Sequence, residues 1–198
     1  MRALNGGRQS YLLQKLEVAH LWELGYYHNQ TRMKTELYKV IKSIDGNALS
    51  DEEKDELLKL FMITNNSLIR DHIAMLFSDI HYDKAVPYIL KKIKDKELIN
   101  NNGTLVAALR DLDARKYFNE FIKIICTQDY EARLWALDLI EDFVNTVSTR
   151  SKANALKVLT FCKSSIESDH EAEYKNSRLH FVEETIKLIN NSLNPSTN

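Results

Sequence analysis

Few residues able to do chemistry stand at a spacing that would let them do it. His170-Glu171 opens like the zinc signature His-Glu-x-x-His, but position 174 is Tyr, so one imidazole is missing. The histidines His20, His28, His72, His81, His170 and His180 show no ligand spacing with Cys126 or Cys162, and no metal is expected. Those two cysteines read as buried thiols of a reducing compartment. Asn102-Gly103-Thr104 reads as a turn that starts a helix, not a phosphate loop. The carboxylates at 51–56 suit the positive end of a helix dipole. Trp135 reads as a core ring, not a base-stacking platform. The sequence therefore leads us to expect no catalytic residue, no metal and no cofactor.

The elements that would position any site are helices, and they repeat. Val86, Ile89, Leu90 and Ile93 fall on one helical face. Adding 32 to each number gives Phe118, Phe121, Ile122 and Ile125, and a further 37 gives Ala155, Val158, Leu159 and Cys162. The preceding helices align as Ile69, Ile73 and Leu76, then Leu105, Leu109 and Leu112, then Ala132, Ala136 and Leu139. Helix pairs this short must stack to bury their apolar faces.

The residues in this register resemble HEAT-like repeats of the short bacterial type. Arg70 with Ala74 matches the start of a first helix, and Ala85, Val86, Pro87 and Ile89 match a second helix. Arg133 opens the third repeat in the same way, while the middle repeat has Val106 where an Arg is expected. The resemblance implies an all-α, right-handed α-solenoid (a HEAT/ARM-like superhelix) of stacked antiparallel helix pairs. It also implies structural roles for Arg70 and Arg133, bridging adjacent repeats through Asp71 or Asp79. Such repeats serve many tasks, so the fold does not name one.

The flanks complete this layout as a single domain. Residues 9–64 are expected to form an N-terminal helical cap with Leu12, Leu16 and Ala19 inward and Trp22 near the end of its first helix. A second stripe runs through Met33, Leu37, Val40, Ile41 and Ile44, and Ser50 to Glu53 forms a capping box before Leu57, Leu58 and Phe61. Repeats occupy 65–168. A closing helix within 169–193 carries the seam Leu179, Val182, Ile186, Ile189 and Leu193, read as a C-terminal cap in preference to a coiled-coil dimer. Residues 194–198 are expected to be a disordered tail.

Charge narrows the function. Lys and Arg total 27 against 28 for Asp and Glu, whereas duplex binding calls for a basic excess. No apolar run of about 18 residues and no signal peptide are present, which points to a cytoplasmic protein without a membrane partner. In HEAT-like arrays the second helices line the concave face. Their outward positions here form the columns Tyr88, Glu120, Lys157; Lys91, Lys123, Thr160; and Lys92, Ile124, Phe161. An aromatic-and-lysine strip on such a scaffold suits an acidic, partly apolar protein surface. The expected function is thus non-enzymatic protein binding by a monomer, as an immunity, inhibitor or adaptor protein with a toxin among its candidate partners. The segments at 101–106 and 130–133 resemble proteins encoded beside bacterial toxins. The alternative is a DNA-binding or glycosylase-like DNA-repair repeat protein, or a tetrapyrrole lyase relative, which would need a basic groove or a large apolar pocket.

Overall fold

The computed structural model describes residues 12–16, 18–19, 21, 30–95, 101–169 and 174–194. Trp22, the Met33 side chain, His170-Glu171 and the tail beyond Asn194 lie outside the described residues. Among the described residues every regular element is helical: α1 (Gln30–Lys42), α2 (Asp51–Ile63), α3 (Ser67–Asp79), α4 (Val86–Ile93), α5 (Gly103–Ala107), α6 (Phe118–Thr127), α7 (Tyr130–Phe143), α8 (Thr149–Ser168) and α9 (Lys175–Leu193). The chain divides into two compact units, Met1–Lys92 and Ile93–Asn198.

In the first unit α3 packs against α1 and α2. The Ser50 capping box is formed, its hydroxyl accepting from Glu53 N while the Glu53 carboxylate accepts from Ser50 N. Leu57, Leu58, Phe61, Ile69, Ile73 and Leu76 are buried, as are Leu16, Ala19, Leu37 and Ile41. The short 3₁₀ turn Gly46–Ala48 lies against α3 so closely that a Cβ at Gly46 would collide with the Ile80 and Leu76 side chains.

α3 ends in a Schellman motif. The N–H of Tyr82 donates to Phe77 O at 2.9 Å and that of His81 to Ser78 O at 3.0 Å, and the Tyr82 and Phe77 rings meet at 5.3 Å. The residue that must turn left-handed is His81, at φ 50°. A side chain there carries a steric cost that glycine avoids. His81→Gly is therefore expected to stabilise the protein by about 1 kcal/mol in denaturant unfolding. A loss of stability would show that the imidazole holds the turn.

In the second unit α5 packs against α7, and α6 against α7 and α8. α9 lies against α6, α7 and α8; of its seam, Val182 and Ile189 are buried and Leu179, Ile186 and Leu193 half-buried. Both α4 and α6 follow a 3₁₀ turn, Asp83–Ala85 and Arg115–Tyr117, 32 positions apart. α5 is short. Beyond Ala107 the chain continues in turns, although Leu109 and Leu112 stay buried. Asp111 and Asp113 flank Leu112, and Asp favours turns over helix interiors because its carboxylate competes for backbone amides.

Candidate functional site

The nine residues expected on the binding face divide between the units. Tyr88, Lys91 and Lys92 belong to the first, and Glu120, Lys123, Ile124, Lys157, Thr160 and Phe161 to the second. Tyr88 and Lys91 are exposed. Lys92 is not: it is 4% exposed, and its Nζ donates to Met62 O at 3.0 Å near the end of α2. A lysine stem can lie along apolar surface while its ammonium reaches a carbonyl, so the residue type alone misled. Ile124 is a second correction, at 4% exposed, because α6 is covered by α7, α8 and α9.

Glu120 and Lys123 form a local ion cluster. Glu120 pairs with Lys94 and with Lys123, each at 2.9 Å. Burial opposes the Glu120 charge, but the hydrogen bonds from the two lysines outweigh it and hold its carboxyl below the usual range. Lys157, Thr160 and Phe161 are exposed on α8. Phe161 is 79% exposed. Val158, expected in the core, joins it at 41% exposed, because the buried row of α8 runs through Ala155, Leu159, Cys162 and Ile166 instead.

A second cluster in the same unit gave no local signal in the sequence. Cys126 on α6 and Cys162 on α8 are free cysteines that act on each other, with Arg133 of α7 and Arg178 of α9 acting on both. The neighbouring Cys126 thiol lowers Cys162 to about 7 against the opposition of burial, with help from Arg178 and Arg133. The same neighbour, with burial, pushes the Cys126 thiol up. Arg133 was expected to bridge repeats through an aspartate, and so was Arg70. Arg70 pairs at 2.7 Å with Asp71, one of the two expected partners and its neighbour in the chain. Arg133 is buried at 8% exposed, and neither its Nε nor that of Arg178 has a hydrogen-bond partner.

The thiol pair has a chemical consequence. The Cys162 thiolate should attack a neutral aromatic disulfide reagent, releasing one aryl thiolate and forming a mixed disulfide, which Cys126 then resolves by displacing the second aryl thiolate. The rate is expected to rise as pH passes about 7, where the thiolate becomes populated. Mass spectrometry should show a chain lighter by two hydrogens. A stable single adduct on Cys126 would contradict the arrangement.

Elsewhere, Asn102 and Gln128 meet in the interior. Asn102 Nδ2 donates to Ile93 O at 3.0 Å and to Gln128 Oε1 at 2.7 Å, all three within the second unit. Trp135 is half-buried, with the Arg110 guanidinium 5.2 Å from its ring centre. No group of His, Cys, Asp and Glu among the described residues could hold a metal ion, and no described helix is long and apolar enough to cross a membrane. No protein-family model, curated protein or solved structure matches the chain.

Proposed function

We propose that the chain is a non-enzymatic protein-binding module of the immunity, inhibitor or adaptor kind, and that its helix pairs are turns of a right-handed HEAT-like α-solenoid. The partner is an acidic protein surface with an apolar recess. One observation carries this reading: Phe161 stands 79% exposed in the middle of a twenty-residue helix, with Val158 beside it. An aromatic ring left in water contributes nothing to the fold and is the type of anchor that fills a partner's pocket.

The charges of α8 identify the kind of surface. Arg150, Lys152, Lys157 and Lys163 precede its one carboxylate, Glu167, in a chain whose formal net charge is −1. Two of the four serve the fold. Lys152 Nζ donates to Ser192 O at 3.2 Å, and Lys163 pairs with Glu183 at 2.7 Å. Arg150 and Lys157 are exposed and make no ion pair among the described residues. Arg150 also sits in the first turn, where a positive charge opposes the helix dipole. Helix stability does not account for it, whereas an acidic partner does.

The test is a tagged chain in a nuclease-treated lysate of its source cells, wild type against Arg150→Glu/Lys157→Glu, followed by titration of the protein recovered. Reversal should slow association strongly, with a salt dependence that the wild type shows and the variant lacks. Equal binding by both forms would reject the basic face. Retention of nucleic acid in place of protein would move the function to the alternative class.

A further inference from the structure

Arg133 and Arg178 lie close enough in the second unit for their charges to oppose each other. The proximity of Arg178 and the burial of Arg133 both work against the Arg133 cation, burial most. Buried guanidinium groups normally have acceptors, because a charge taken out of water without them is costly. Here both Nε atoms have none. The carboxylate that faces them is Asp129, and its Oδ1 already accepts from Ala132 N at 2.9 Å as the cap of α7. The sulfurs of Cys126 and Cys162 also act on Arg133.

The two arginines line a cavity of about 630 Å³, with Tyr130, Tyr174, Ser177 and Asp129 among its other walls. That volume is within the range of small-molecule sites and larger than a bare phosphate or carboxylate needs. Tyr130 and Tyr174 are exposed and can cover an organic body. A third feature agrees. The nineteen-residue helix α9 opens at Tyr174 with no capping side-chain hydrogen bond and no acid in the first turn, which leads into Ser177 and Arg178.

We infer that this cavity binds a small organic oxyanion, its phosphate or carboxylate head between Arg133 and Arg178 at the start of α9 and its ring-sized body between Tyr130 and Tyr174. Planar guanidinium forks suit such a head because two N–H groups can reach two oxygens at once. The site is separate from the exposed face of α8 and would hold its ligand whether or not that face binds protein.

The experiment titrates the full chain with phenyl phosphate, benzoate, inorganic phosphate and neutral benzyl alcohol, read by calorimetry and by shifts of the Ser177 and Arg178 amides. Phenyl phosphate or benzoate should saturate at sub-millimolar to millimolar concentration while benzyl alcohol does not, and the tighter of the two identifies the head. Arg178→Gln should weaken that binding by about tenfold or more, the loss of one charge-assisted contact. Tyr174→Ala should weaken phenyl phosphate more than inorganic phosphate. If Arg178→Gln does not fold, Ser177→Glu places a carboxylate at the mouth and should abolish binding. Absence of saturable binding by both aromatic anions, or unchanged affinity in the variant, overturns the inference.

Discussion

Replacing Phe121 with alanine should lower the free energy of unfolding by about 3–5 kcal/mol, measured by urea denaturation. The ring is fully buried on α6 and packs at 6.1 Å from Phe143 of α7. Because α6 is also held by α8 and α9, the surrounding helices have little freedom to collapse into the space. The lost burial and the residual cavity therefore add. Val158→Ala is the matched control, at a position that the repeat assigned to the core but that is half in water. Its cost should stay within about 0.5 kcal/mol, as for surface positions. Similar losses at both sites would mean that the buried face of the second unit is misassigned.

The other large effect concerns recognition. Phe161→Asp should weaken partner binding by more than about 2 kcal/mol, roughly a thirtyfold rise in Kd, while the melting temperature hardly moves. The size follows from two losses in one substitution. The ring no longer fills an apolar recess, and a carboxylate is placed against an acidic surface. Folding is spared because Phe161 is almost entirely outside the core. A variant that melts normally and binds as tightly as the wild type would remove Phe161 from the interface.

Much of the helix layout was legible in the sequence because it rests on local rules. The period of Ile69, Ile73 and Leu76, and of Ala132, Ala136 and Leu139, marked faces that are buried. Ser50 to Glu53 named a helix start because a capping box needs only four residues to form. Where the reading failed, a distant part of the chain decided the outcome. Ile124 is buried on a helix that α7, α8 and α9, all later in the chain, pack against, and the buried Lys92 donates to a carbonyl thirty residues before it, that of Met62. The Cys126, Arg133, Cys162 and Arg178 cluster draws one residue from each of four helices, so no spacing could have announced it. A wider clue was available for Ile124: Phe118, Phe121, Ile122, Ile124 and Ile125 cover more of the α6 circumference than a one-sided helix requires.

The exposed face of α8 is the centre of this account, and hydroxyl-radical footprinting reads it directly, because oxidation of an aromatic ring reports its contact with water. In the free chain Phe161 should oxidise rapidly, while Phe121 and Phe77, both fully buried, stay nearly unmodified. Adding the recovered partner should protect Phe161 and leave exposed Tyr88 in the first unit as reactive as before. A Phe161 already protected in the free chain, or one that oxidises equally fast in the complex, would contradict the account.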